Sequence, residues 1–234
     1  MSEIIKLGEI EVQVTFKKIK NIHLSVMPPN GDVTVSAPER IDLDMIRMYC
    51  ISRLGWIKKE RKPFLEQERE TPREFIYNES HYLFGRRYKL DIIEAYSDVP
   101  YIVKHSQIVL YVKKNSTLED RQKVMEACYR IELKRVLDEL VDKWKSIIGV
   151  ELHEYKIKKM STKWGSCNQK DKRLWFSLEL AKKPVECVEY VVAHELIHLI
   201  ERSHNNRFFE LLDKHFPRWA KYKDELNELP LGNL

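Results

Sequence analysis

In the first half of the chain apolar residues recur at every second position over short runs, and from Thr117 they recur at every third and fourth. A period of two marks half-buried strands, whereas three-and-four spacing marks one face of a helix. Glu9 to Phe16 and Ile22 to Met27 read as strands. The second leads through a Pro28-Pro29-Asn30-Gly31 turn into Val33-x-Val35, which predicts a hairpin. Asp42 can cap a helix carrying Ile46, Tyr49, Cys50, Leu54 and Ile57; Pro63 should kink or end it, and a charged stretch to Arg73 follows. Phe75-x-Tyr77, His81 to Phe84, Tyr88 to Ile93, Tyr101 to Lys104 and Ile108 to Val112 read as further strands. Thr117, with Asp120 three residues on, caps a long helix that buries Leu133, Leu137, Leu140, Val141, Trp144 and Ile148. Tyr155-x-Ile157 and Leu174-Trp175-Phe176 then bracket Trp164-Gly165-Ser166-Cys167 and a polar turn from Asn168 to Lys172, giving another hairpin. The expected class is α+β: a β-rich module over 1–115 with one helix near 42–62, then a second portion over 116–234.

The second portion carries the chemistry. In His194-Glu195-Leu196-Ile197-His198, residues four apart on a helix lie about 40° apart around the axis, so His194 and His198 can bring two imidazole nitrogens to one metal. Glu195 is about 100° from His194, placed to reach a water held by that metal and to act as its general base. Taken alone, H-E-x-x-H arises by chance in roughly one chain in a hundred of this length. Its surroundings set it apart: Pro184 suits a first helical turn, and Val188, Val192, Leu196 and Leu199 form a separate apolar stripe that leaves the histidines for a cleft. His204 is six residues past His198, about 240° round an unbroken helix, so the chain must turn between them. Arg202-Ser203-His204-Asn205-Asn206 suits such a turn and the start of a new helix. Glu201, on the same stripe as His194 but a turn beyond His198, reads as a carboxylate that orients a histidine by hydrogen bonding, in preference to direct ligation. Three protein ligands would leave one zinc ion a fourth position for water, whose pKa the ion can lower to about 7.

Lys163-Trp164-Gly165-Ser166-Cys167, the histidine motif through His204, and Arg207-Phe208-Phe209 together resemble the YgjP-like metallopeptidase family, also known as the domain of unknown function 45. Asn30 to Pro38, Gly55-Trp56-Ile57 and Leu83-Phe84-Gly85-Arg86-Arg87-Tyr88 look like that family's amino-terminal half in the same order, so the likeness covers nearly the whole chain. The family is similar to other zincins, including SprT-like and M48-type metalloproteases. The resemblance implies a zincin-like catalytic domain, in which an active-site helix is backed by a long helix and a small sheet. It further implies His194, His198 and His204 as ligands of one zinc ion and Glu195 as catalytic base. Ile197 stands where the family usually has cysteine, at a helix position that ligates nothing.

Trp164, Gly165, Ser166 and Cys167 have two readings. Gly165 can admit a close backbone, with Ser166 or Cys167 touching substrate; equally, Trp164 can pack the core while Gly165 shapes a bulge. Arg207, His215 and Tyr222 are candidates to stabilise the oxyanion of a tetrahedral intermediate. His23, His81, His105 and His153 stand alone and receive no role.

Composition narrows the setting. With 43% hydrophobic residues over 234, the chain can bury a sizeable core. No run approaches the roughly 18 apolar residues of a membrane span, and Met1 to Glu11 mixes charged and apolar residues, unlike a signal-peptide core; a cytoplasmic protein without membrane association is expected. Cys50, Cys128, Cys167 and Cys187 form no C-x-x-C pair, and Cys50 and Cys128 fall on the apolar helix faces. A net charge of +5 is only mildly basic, although Lys17-Lys18-x-Lys20, Lys58-Lys59-Glu60-Arg61-Lys62 and Arg86-Arg87-x-Lys89 keep a DNA or nucleic-acid-handling partner in view. Two functions follow: a zinc peptidase acting on polypeptide, or a zinc-containing nucleic-acid-associated module without turnover. The intact Glu195 favours the enzyme, since a purely structural metal site needs no base.

Overall fold

The computed structural model describes residues 2–27, 31–66, 73–160 and 163–228, leaving out the side chains of residues 2, 63, 64, 66 and 227. The chain is α+β and divides into two compact units, Met1–Arg69 and Glu70–Gly232. The boundary expected at 115/116 therefore falls near 70. The reason lies in packing. Leu90, Ile108, Leu110 and Val112, from strands assigned by sequence to the amino-terminal module, share one apolar cluster with Leu133, Leu137, Val188 and Leu196 of the histidine-bearing half.

In the first unit, β1 (Ser2–Leu7) turns back through Gly8 into β2 (Ile10–Lys17). β2 lies parallel to β4 (Asp32–Pro38), and β3 (His23–Met27) pairs antiparallel with β4, giving the order β1-β2-β4-β3. The expected β3–β4 hairpin is present, with Met27 opposite Asp32; residues 28–30 of its turn lie outside the described residues. Val12, Val14, Val33 and Val35 alternate inward, where they meet Ile46 and Cys50 of α1 (Leu43–Ser52) and Ile57 of α2 (Leu54–Glu66). The Asp42 carboxylate accepts from the Met45 amide at 2.8 Å and so starts α1. Where the apolar spacing predicts one helix there are two, parted at Arg53 beside Gly55, the residue least suited to a helix interior short of proline. The second helix runs through position 63 to Glu66.

The second unit opens with a sheet of the same topology, ordered β5-β6-β8-β7. β5 (Ser80–Leu83) and β6 (Arg86–Glu94) are antiparallel, β8 (Gln107–Val112) runs parallel to β6, and β7 (Tyr101–Val103) is antiparallel to β8. Phe75-x-Tyr77 is not a strand. Phe75 has φ 50°, and the Glu79 carboxylate gathers the amides of Glu74 and Phe75 at 3.1 and 2.9 Å, which bends the segment. α3 (Leu118–Ile148) begins at a reciprocal Thr117–Asp120 capping box and ends at Gly149 in the left-handed region. β9 (Glu154–Lys158), β10 (Gly165–Asn168) and β11 (Arg173–Ser177) make a small sheet in which β11 is central, antiparallel to β10 and parallel to β9. A 3-10 helix (Leu178–Lys182) leads to α4 (Val185–Ile197), with Pro184 as its N-cap residue; α5 (Asn206–His215) and α6 (Trp219–Glu228) follow. Among the described residues no helix is long and apolar enough to cross a membrane.

The β5–β6 turn fixes where α4 begins. Its Phe84 and Gly85 amides donate to the carbonyls of Ala181 and Lys182 at 2.8 and 3.2 Å. Gly85 has φ 76°, and a β-carbon there would meet Pro184 Cγ at 2.9 Å. Gly149, at φ 75°, has open space around the same position. Gly85→Ala should therefore destabilise the protein by more than Gly149→Ala, whose cost is the backbone penalty of about 1 kcal/mol. Urea denaturation of the two variants checks the ranking, and equal midpoints would contradict it.

Candidate metal centre

α4 is apolar almost all round: nine of its thirteen residues are buried, with Val188, Val192 and Leu196 fully inaccessible. It packs on α3, where Lys143 Nζ and Trp144 Nε1 both donate to Glu189 at 2.6 and 2.9 Å. With the helix held on that side, His194 and Glu195 in its last turn open into a cleft of about 870 Å³. The helix ends at His198, and the chain turns through Glu201 and Ser203, where the Glu201 carboxylate accepts the Ser203 amide at 3.2 Å. Asn205 then caps α5, accepting from the Phe208 amide at 3.1 Å. That break carries His204 back toward α4.

The three imidazoles converge. One nitrogen from each of His194, His198 and His204 lies within 4.8 Å of the others, and the Nε2 atoms of His194 and His204 are 3.0 Å apart. Tetrahedral zinc with Zn–N bonds of about 2.0–2.1 Å needs donors roughly 3.3 Å apart. Their protonation also fits. His198 Nδ1 donates to the Glu201 carbonyl at 3.0 Å, so its proton is on Nδ1 and the Nε2 lone pair is free. For His194, the tautomer that frees Nε2 places the proton on Nδ1, facing the Tyr190 hydroxyl at 3.3 Å. Burial, helped by His198, His204 and Lys223, pushes the His194 pKa down to about 3, so the ring is neutral. Two neutral rings turning acceptor nitrogens toward each other fit a shared cation. The donor set therefore suits a divalent metal that prefers nitrogen.

Glu195 lies beside them in the same cleft, 6% exposed. Burial drives its carboxyl up to about 8, against a smaller opposite pull from Lys163. Its side chain rests against the backbone of β10: a β-carbon on Gly165 would come within 2.6 Å of Glu195 Cγ and Oε1. Gly165 thus admits a carboxylate. Ser166, Cys167 and Trp164 line the same cleft, and Trp164 also packs against the core beneath the Lys183 ammonium.

The sequence matches the YgjP-like metallopeptidase domain over residues 20–229. The chain belongs to that family. As a YgjP-like metallopeptidase it is a hydrolase whose substrates are polypeptides. Two solved structures, both metallopeptidase zymogens, are similar to part of this chain. Abylysin of Pyrococcus abyssi is 21% identical, with 38% of this chain and 90% of that one aligned at a TM-score of 0.36. Jannalysin of Methanocaldococcus jannaschii is 23% identical, covering 38% and 92% at 0.35. Among curated proteins none matches in sequence.

Some sequence expectations need correction in this YgjP-like site. Glu201 does orient a histidine, but through its main-chain carbonyl, while its carboxylate serves the turn. Arg207, His215 and Tyr222 do not line the cleft. On α5 the buried stripe is Phe208 and Leu212, so Arg207, about 100° round, points to solvent. Tyr222 packs on Phe216 instead. Two residues escaped the sequence reading. Tyr190 is one turn before His194, and its i,i+4 spacing is a usable signal; Phe208 gives none. Its fully buried ring sits 4.9, 4.6 and 4.7 Å from the rings of His194, His198 and His204, forming a floor beneath all three. Phe208→Ala should cost about 3–5 kcal/mol of stability and Phe208→Leu clearly less. Thermal or urea unfolding measures both, and a near-neutral alanine variant would refute the floor.

Proposed function

We propose that this YgjP-like protein is a zinc-dependent peptidase in which His194, His198 and His204 hold one zinc ion and Glu195 is the general base. The observation that carries the reading is the convergence of three imidazoles beside a buried carboxylate in one open cleft. Bound zinc would supply Lewis acidity, acidifying the attacking water and polarising the scissile carbonyl.

The chain's own groups do the rest. The β10 edge away from β11 has no strand partner among the described residues, and it borders the cleft at Gly165 and Ser166. An extended peptide can add to that edge through main-chain hydrogen bonds, which places its carbonyl opposite Glu195. Glu195 takes the proton from the attacking water and hands it to the departing amine. Its burial suits the first half of that task, because a carboxylate with little hydration is the stronger base. A dication held by His194, His198 and His204 would favour the ionised form at neutral pH, offsetting the upward pull of burial. Tyr190 and the Glu201 carbonyl hold His194 and His198 in their rotamers.

Elemental analysis beside cleavage of an unfolded protein substrate tests this reading. Wild type and Glu195→Gln should each carry about one zinc per chain, the variant losing at least about a hundredfold in rate; His194→Ala should lose metal and activity together. Full activity in zinc-loaded Glu195→Gln would remove Glu195 as base. Gly165→Ala leaves the histidines untouched yet dislodges Glu195, so it should keep its zinc and lose about ten- to a hundredfold in kcat/KM. Unchanged kcat/KM in that variant would mean that the carboxylate is not needed where it rests.

A further inference from the structure

The charges around the cleft are one-sided. Lys163, Lys170, Arg202 and Lys223 all line it, and its sole acidic lining residue among the described ones is Glu195. All four cations are exposed, and among the described residues none is in an ion pair; Lys223 rests over the Trp219 ring. Elsewhere on the same unit some lysines are matched, Lys134 to Asp138, Lys143 to Glu189, Lys159 to Glu126 and Lys172 to Glu151, and others, such as Lys104, Lys113 and Lys114, are in no ion pair among the described residues. What sets the cleft apart is its lining, in which four cations face a single carboxylate.

They come from four segments: Lys163 just before β10, Lys170 in the turn just after it, Arg202 in the turn after α4, and Lys223 on α6. A peptide lying along β10 with its scissile bond opposite Gly165 passes Lys163 toward one end and Lys170 toward the other. Arg202 and Lys223 stand on the elements bounding the rest of the cleft. At about 3.3 Å per residue, β10 spans roughly four residues, so both flanks of a cleaved bond fall within reach of a lysine side chain.

We propose that the preferred substrates are acidic stretches of extended polypeptide, with aspartate or glutamate within about three residues of the scissile bond meeting Lys163, Lys170, Arg202 and Lys223. This rests on the peptidase reading. Acidic peptide is favoured over nucleic acid because the same cleft presents a strand edge for main-chain pairing, and because of the two aromatic side chains lining it, other than the histidines, Trp164 is part-buried against the core and Tyr190 is buried and packed on His194, neither laid out as a stacking platform.

Three fluorogenic ten-residue peptides test it, sharing a central sequence and flanked by Glu/Asp, Ser/Gln or Lys. They are cleaved by zinc-loaded wild type, and their labelled forms bind to Glu195→Gln in fluorescence anisotropy. Each exposed pair is worth about two- to fivefold, so the acidic peptide should exceed the neutral one by about tenfold in kcat/KM and in affinity, with the basic peptide last. The gap should shrink at 0.5 M salt, and Lys170→Glu/Arg202→Glu should reverse the ranking while circular dichroism stays that of wild type. A neutral peptide cleaved as fast as the acidic one overturns this inference alone. Failure to cleave any of the three, or unfolded protein, overturns the peptidase reading and this inference with it. A single-stranded oligonucleotide that binds Glu195→Gln more tightly than the acidic peptide at 0.15 M salt would assign the cations to nucleic acid and overturn the proposal.

Discussion

The structure depends on a helix that must be buried and open at once. α4 is buried along most of its length, with Val185 and Glu186 of its first turn exposed and His194 of its last turn opening into the cleft. Polar groups in such a helix are costly unless each has a partner. The structure meets this by giving the polar residues fixed neighbours: Glu189 takes Lys143 and Trp144, His194 faces Tyr190, and Glu195 lies against a backbone that has no side chain. Packing therefore sets the geometry of the site. The β5–β6 turn against Pro184 fixes one end of α4, and Phe208 sits under the three histidines beyond the other.

Much of this arrangement could be read from residue order. The helices α3, α4 and α5 were legible because capping residues and apolar spacing agree: Thr117 with Asp120, Pro184 before Val188, and Asn205 after a turn that His204 requires. The β10–β11 hairpin was legible from its two apolar runs and polar turn. What escaped are matters of long-range packing. Period-two segments do not say which core they join, so β5 to β8 were grouped with the wrong helices. Met1 to Glu11 hid β1, in which Ile5 is the single buried residue among the described side chains and leaves little alternation to see. Phe75 to Tyr77 carries strand-like residues, but the Glu79 carboxylate outcompetes pairing.

At the site the same division holds. Helical periodicity places His194, Glu195 and His198 together, because those positions are related by local geometry alone. It could not say that Glu201 would act through its carbonyl, since the side chain's direction is set by the turn it closes. Nor could it discard Arg207, His215 and Tyr222, whose exclusion depends on which faces of α5 and α6 the core takes. The unpaired cations around the cleft were invisible for a related reason: they are scattered over sixty residues and meet only when α6 and β10 border the same space.

The contacts of the site differ in reach along the chain. The imidazole pair His194 and His204 closes a loop of ten residues, whereas Glu195 and Gly165 are brought together across thirty. Loop closure is an entropic cost that grows with length, and the longer contact also needs β10 and β11 already zipped. During folding, the nitrogen cluster is thus a local event and the seating of the carboxylate a late one.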